Sequence, residues 1–391
     1  MKKLVRIAVL LLGTIILLAV LSALSNLGLP EQSWIVARLS DHEKARLAEY
    51  FHLREALGNQ VWPGWGSADI PVIVYNEEYA FLVGYPDAPP EGWRMVPSGE
   101  TRGGSWQVVP EDDFFGEVYY RQRLEEGGGT PENFTVQVGG RWVATLMTRD
   151  YTRIRLVKDL KGELPPVLRA IVPYRLVWEL LLGSTETYLG GLAHESFHAL
   201  QGMTVPDKLD SAESVHFLGG QYPWDDDSFQ DEWKAELSLL YQAASAESDE
   251  QARSLAVQFL EKRQQRRDSF SLSRQLIDYE RKREWLEGMA KYAELEIQKT
   301  AAERPAYQPL PAISEDGDFN YYQDRPRYWR RQLAEVKRTA GREGDARFYY
   351  TGFAQGVLLD RFHPDWKSEL WSEDVWLEEL LWRAVSDREE D

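Results

Sequence analysis

Residues 188–202 read Tyr188-Leu189-Gly190-Gly191-Leu192-Ala193-His194-Glu195-Ser196-Phe197-His198-Ala199-Leu200-Gln201-Gly202. Tyr188, Leu189, Leu192, Ala193, Phe197, Ala199 and Leu200 are apolar or small and surround the segment at helical spacing, and Gly202 can close it in a left-handed cap. Such a helix is buried, so its few ionisable residues are the informative ones. Two residues four apart on a helix differ by only about 40° of rotation, so His194 and His198 can share one metal ion. Glu195 sits beside the first of them, where its carboxylate can act as general base on a water activated by the metal without coordinating it. Two imidazoles and a carboxylate in a hydrolase favour zinc, written Zn2+, over other divalent ions.

Outward from this segment the texture of the chain divides. Beyond Pro165 it is helical to the end, with breaks near Gly202, Pro223, Pro305 to Pro311 and Pro364. Ser248-Asp249-Glu250-Gln251 fits a capping box, and a helix containing Trp285 is predicted from about Ser273 to Thr300. Before Pro165 the runs Ile70 to Tyr75, Tyr79 to Val83, Glu117 to Arg121 and Phe134 to Met147 are strand-like, the last folded at Gly139-Gly140 as a hairpin. Pro86 to Pro90, Glu111-Asp112-Asp113 and Gly127-Gly128-Gly129 read as loops between them. The predicted fold class is α+β: residues 1–28 a transmembrane signal anchor, 29–66 an amphipathic helix (Leu29 to Leu57) and linker broken at Trp62-Pro63-Gly64-Trp65-Gly66, 67–165 a mixed, strand-rich region, and 166–391 a mainly helical catalytic region.

The anchor follows from Lys2, Lys3 and Arg6 preceding an uncharged run from Ile7 to Leu24, about long enough to cross a bilayer as a helix. The basic residues stay cytoplasmic, which puts the C-terminal domain outside the cytoplasm; the alternative is secretion after cleavage near Ala23-Leu24-Ser25. Composition narrows the rest. The 391 residues, 43% hydrophobic with 15 Trp, supply a sizeable core, and a net charge of -18 repels phosphate backbones, so no nucleic acid is expected as a partner. The absence of Cys excludes disulfides, thiolate zinc sites and a catalytic thiol, which leaves His and carboxylates as metal ligands.

A catalytic zinc takes three protein ligands and keeps one position open, so a third ligand is required. Trp285-Leu286-Glu287-Gly288-Met289-Ala290-Lys291-Tyr292 contains a Glu-Gly-x-Ala-x-Tyr core. Together with His194-Glu195-Ser196-Phe197-His198 it resembles the gluzincin metallopeptidases, the aminopeptidase-like and thermolysin-like zinc enzymes, in which a Glu on a later helix completes the site. The resemblance implies Glu287 as third ligand. One residue is missing before that Glu relative to the family pattern, and residues from about Gln221 to Arg283 form an insertion. Within it, Glu232 and Glu236 share a helix face, and Glu236 is the alternative ligand. Tyr349-Tyr350-Thr351-Gly352 is similar to the family's Tyr-x-Lys-Gly turn, which implies Tyr349, or next Tyr350, as oxyanion donor; Thr351 departs from the pattern. His216 could serve in their place.

No Gly-x-Met-Glu-Asn stretch is present, which argues against strict aminopeptidase specificity; the edge of a strand such as Val143 to Thr148 could hold an extended peptide. The predicted function is peptide-bond hydrolysis outside the cytoplasm on a peptide or protein substrate, with oligomeric state open. A zinc hydrolase of another amide or ester uses the same groups, and the non-enzyme alternative is a membrane-tethered peptide- or glycan-binding module that keeps the metal site.

Overall fold

A computed structural model of the protein describes residues 2–124, 129–131, 135–342 and 344–386. Helix α1 (Lys2–Ser25) covers the N-terminal apolar run, and α2 (Asp41–Val61) follows an irregular stretch. Among the described residues no helix is long and apolar enough to cross a membrane; side chains of α1 including Ile7, Ala8, Val9, Leu12, Ile15 and Ile16 lie outside the described residues. The helix expected over Leu29 to Leu57 begins only at Asp41, because Ser40 caps it by accepting from the Glu43 amide. It is also not amphipathic. Glu43, Lys44, Arg46, Glu49 and Arg54 are buried, and they find partners: Arg46 donates to Asp316 Oδ2 at 2.7 Å, and Glu49 accepts from Tyr307 and Tyr322 at 2.7 and 2.9 Å.

The strands are β1 (Val72–Tyr75), β2 (Tyr79–Val83), β3 (Trp93–Met95), β4 (Thr101–Arg102), β5 (Gln107–Val108), β6 (Tyr120–Arg123), β7 (Thr135–Val138) and β8 (Arg141–Met147). They form one eight-stranded curled sheet in the order β4-β3-β7-β8-β1-β2-β6-β5. The β1–β8 pair is parallel and the other pairs are antiparallel. Alternation along β1 explains why both faces are apolar. Val72 and Val74 meet the helices, whereas Ile73 and Tyr75 join Trp93, Met95 and Val136 in a second core. Gly139 and Gly140, with φ of 56° and 81°, make the two-residue turn of the predicted hairpin, whose Phe134 lies outside the described residues, as do Gly127 and Gly128. Strand β8 lies inside the sheet between β7 and β1, so the edge expected at Val143 to Thr148 is not free to pair with a peptide.

Helices then follow to the end: α3 (Arg149–Glu163), α4 (Pro166–Ile171), α5 (Tyr174–Leu182), α6 (Thr185–Thr204), α7 (Pro206–Ser214), α8 (Asp227–Ser245), α9 (Asp249–Ser269), α10 (Arg274–Arg283), a π-helical turn Glu284–Gly288, α11 (Met289–Glu303), α12 (Arg325–Thr339), α13 (Ala346–Phe362), α14 (Trp366–Glu369) and α15 (Leu377–Ser386). The α+β class holds. Ser248 caps α9 and Ser273 caps α10, both by accepting from a backbone amide three residues on. The insertion contributes the α8–α9 hairpin, packed on α12, α13 and α15.

Helix α6 lies between β8 on one side and α11 on the other. It does not end at Gly202 but runs on to Thr204, stopped by Pro206. Gly202 is instead a close-packing position, since a β-carbon there would lie 2.6 Å from the Trp142 ring. The Trp62 to Gly66 break likewise does more than connect: Trp62 and Trp65 are fully buried edge-on to Phe197 of α6, with ring centroids 4.9 and 5.6 Å apart.

A second close approach sets the far wall. A β-carbon on Gly288 would lie 2.5 Å from Gly352 Cα, so the π-turn and α13 meet backbone to backbone. These two glycines neighbour Glu287 and lie one turn from Tyr349, and their contact brings those side chains together. Gly352→Ala is therefore expected to cost about 1–3 kcal/mol, read as a lowered urea midpoint, because the main chain must separate to admit the methyl group.

Candidate metal centre

The His194 and His198 rings point off one face of α6 and meet the Glu287 carboxylate from the π-turn. Nε2 of His198 is 3.2 Å from Nε2 of His194, and Glu287 Oε2 is 3.3 Å from His194 Nε2 and 3.5 Å from His198 Nε2. All three side chains are buried, and among the described residues they form the group of His and carboxylates able to hold a metal ion. Such a π-turn is a common device at functional sites, since its extra residue turns a side chain out of register.

Each donor is held from behind. His198 Nδ1 lies 2.8 Å from Gln201 Oε1, and the Gln201 amide donates to the Trp285 and Leu286 carbonyls at 2.9 and 3.3 Å. One side chain thus fixes the His198 ring and ties α6 to the turn that carries Glu287. His194 Nδ1 faces Glu294 Oε2 at 3.4 Å. Arg283 donates to Glu287 Oε1 at 2.7 Å, leaving Oε2 for the centre, and holds Asp345 at 2.8 Å. Partners of this kind fix the tautomer and basicity of ligands. Replacing Gln201 with Leu should weaken metal affinity about 10–100-fold, measured by competition with a chelator, while leaving the fold intact.

The electrostatics favour a cation. Burial opposes protonation of His194, yet Glu287 and Glu294 beside it raise its pKa to about 10 from 6.5. Burial likewise works against the Glu287 carboxylate, and His194, His198 and Arg283 hold it well below the usual range. So many acceptors converge here that the site lacks a positive charge.

A cavity of about 120 Å³ opens on these donors, lined also by Glu195, Tyr349, Thr135, Val96, Leu209 and Glu213. Burial and the neighbouring Glu287 and Glu294 raise the Glu195 carboxyl, against the pull of the two imidazoles. Thr135 of β7 donates to the Glu195 carbonyl at 2.9 Å, tying this turn of α6 to the sheet. Tyr349 stacks on His194, rings 5.6 Å apart and 8° from parallel, and burial with the adjacent Glu287 raises its hydroxyl well above its ordinary value. Glu213 is pushed up to about 7 by burial and by Glu287 and Glu195, opposed by Arg283 and His198.

The alternatives are placed elsewhere. Glu236 is fully buried but receives Arg263 Nε at 2.8 Å and Arg266 Nε at 2.7 Å, so it belongs to an ion network and not to the metal group. Tyr350 donates to Gln332 at 3.0 Å and does not line the cavity. His216 is largely exposed and faces Asp345 at 3.3 Å, outside the cavity lining. Glu213, Gln201 and Glu294 escape motif reading. Gln201 and Glu294 had a usable signal, since they fall three and seven residues from His198 and Glu287 on their helix faces; Glu213 had none. Compared with family models, curated proteins and solved structures, the chain matches none.

Proposed function

We propose that this chain is a zinc-dependent hydrolase, a membrane-anchored peptidase of gluzincin type cleaving peptide bonds outside the cytoplasm. The observation that carries the reading is the triangle of donor atoms, with edges of 3.2, 3.3 and 3.5 Å, opening on the cavity that Glu195 and Tyr349 also face. Three donors at zinc's ligand distances of 2.0–2.1 Å in a tetrahedron stand about 3.3–3.4 Å apart, so the residues fit zinc with one position left open.

Zinc held by His194, His198 and Glu287 would supply Lewis acidity to the scissile carbonyl and acidify the attacking water. Glu195, which faces the same cavity, takes the proton of that water as its oxygen bonds to the carbonyl carbon. The carbonyl oxygen then bears the negative charge, and Tyr349, kept protonated by its environment, donates to it. As the C–N bond breaks, Glu195 returns the proton to the leaving amine, so no net proton is left on the enzyme. Lys2, Lys3 and Arg6 ahead of the apolar run support the anchor and its orientation.

The test is metal content by mass spectrometry on the full chain in detergent, for the parent, Glu287→Gln and Glu236→Gln, followed by cleavage of a peptide library. About one zinc in the parent, lost in Glu287→Gln and kept in Glu236→Gln, supports the site. A metal-free parent, or a Glu287→Gln chain that retains its zinc, overturns it. Cleavage of esters or non-peptide amides in place of peptides would reassign the substrate class. Alkaline carbonate extraction reads the anchor independently: the chain should stay with the membrane pellet.

A further inference from the structure

Helix α5 turns its apolar side outward. Leu176, Val177, Leu180 and Leu181 fall on one stripe at helical spacing, and Leu176, Leu180 and Leu181 are 52%, 74% and 62% exposed. The helix is fixed to the body at its first turn, where Tyr174 is fully buried, and at Trp178, which lies under Arg153 with 5.7 Å from guanidinium to ring. The short α4 adds Leu168, 43% exposed. Single exposed leucines are ordinary, whereas several on one helix face mark a surface that something covers.

What covers it is indicated by position. The C-terminal end of α1 is bonded to the junction of α4 and α5: Ser22 Oγ donates to the Ile171 carbonyl at 2.5 Å, and Asn26 Nδ2 donates to the Val172 and Ala170 carbonyls at 2.8 and 3.2 Å. The exposed leucines therefore lie where α1 would leave the bilayer. Arg175 is exposed on the same helix, in a chain of net charge -18, and complements lipid phosphates, whereas the Arg169 guanidinium donates to the Leu164 and Gly162 carbonyls at 2.5 and 3.3 Å.

We propose that α4 and α5 are a membrane-docking platform, with Leu168, Leu176, Leu180 and Leu181 seated at the boundary of head groups and acyl chains of the bilayer that holds α1, and Arg175 on its phosphates. The proposal rests on α1 being the membrane anchor. It carries a consequence for the substrate. Helix α5 leads through Gly183 and Ser184 directly into α6, and His194 stands about 14 Å along α6 from its first residue. Docking α5 holds the metal centre at a fixed, short height above the lipid, within reach of polypeptide segments close to the membrane surface.

The chain has no Cys, so a single introduced Cys labels one position. Leu180→Cys, Leu11→Cys and, as a distant exposed control, Ser368→Cys would each carry an environment-sensitive fluorophore in the full chain. The proteins are reconstituted in vesicles of phosphatidylcholine and phosphatidylglycerol. Nitroxide-bearing acyl chains are expected to quench the labels at 180 and 11 several-fold more than the label at 368, and aqueous iodide is expected to show the reverse order. If the label at 11 is quenched by lipid while that at 180 remains open to iodide, the platform is overturned and the anchor stands. If neither is quenched by lipid, the anchor fails and the platform with it. A label at 180 shielded from both probes would mean that a second copy covers the face, which also overturns the proposal.

Discussion

Glu195→Gln is expected to lower peptide hydrolysis by about 10²–10⁴-fold while the metal content stays at that of the parent. The separation of the two readouts follows from geometry. Glu195 lines the same cavity as His194, His198 and Glu287, yet it is not a member of the group whose donor atoms converge. Gln keeps the size of the side chain and the contact of the Glu195 carbonyl with Thr135, but it has no carboxylate to receive a proton or return one. The loss should fall on kcat, because a proton moves only once substrate is bound. Tyr349→Phe tests the other arm, with a smaller loss of about 10²-fold, since one oxyanion donor is removed and zinc remains. A Glu195→Gln enzyme of parental activity would show that the constellation does not perform this chemistry, whatever metal it holds.

The parts of this site that a reader of the sequence can see are those fixed by the local geometry of one helix. His194 and His198 are visible because four residues make just over one turn, and Glu287 because the Glu-Gly-x-Ala-x-Tyr core that starts with it is intact, although one residue is missing before it. Tyr349 follows from the similarity of Tyr349-Tyr350-Thr351-Gly352 to the family's Tyr-x-Lys-Gly stretch, although these residues lie within helix α13 and do not form a turn. What stays hidden is what depends on two distant segments meeting. Glu213 approaches from α7, Thr135 from β7 and Val96 from the loop after β3, and nothing near these residues in the chain marks their destination; Arg283, four residues from Glu287, is by contrast a local partner. The same distinction holds for the fold. The hairpin at Gly139-Gly140 announces itself by its turn, whereas β3, β4 and β5, only two or three residues long, lack enough alternation to stand out. Helix α2 is legible as a helix, but its burial is not, because charged side chains such as Arg46 find buried partners as distant as Asp316.

Glu236→Gln is expected to cost several kcal/mol of stability and no zinc. The side chain sits in a buried lattice of charges: Arg263 Nη2 donates to Glu284 at 2.6 Å, Arg266 Nη1 to Glu280 at 2.7 Å, and Arg267 Nε to Glu280 at 2.8 Å, with Glu378 accepting from Arg263 and Arg267 at 3.1 and 2.9 Å. Removing one carboxylate from such a lattice leaves Arg263 and Arg266 short of a counter-charge they cannot replace with water, a loss of about 3–5 kcal/mol. The consequence should reach the metal group only weakly. The network does grip Glu284, three residues from Glu287, but Gln201 and Arg283 hold that turn from the other side. The pH dependence has a defined sign. Burial alone would raise the Glu280 carboxyl, and Arg266 and Arg267 overcome it, bringing the pKa to about 2 from 4.5. A carboxyl depressed on folding stabilises the protein fully above its unfolded value and loses that contribution as the pH falls through the folded one. The parent should thus lose stability between about pH 4.5 and 2, and Glu236→Gln, starting lower, should unfold at a higher pH in the same acid titration followed by circular dichroism. A variant whose stability by urea denaturation stays within the range of ordinary surface substitutions, about 0.5 kcal/mol, would mean that water reaches these arginines and that the lattice is not what joins the α8–α9 hairpin to the helices carrying the candidate metal group.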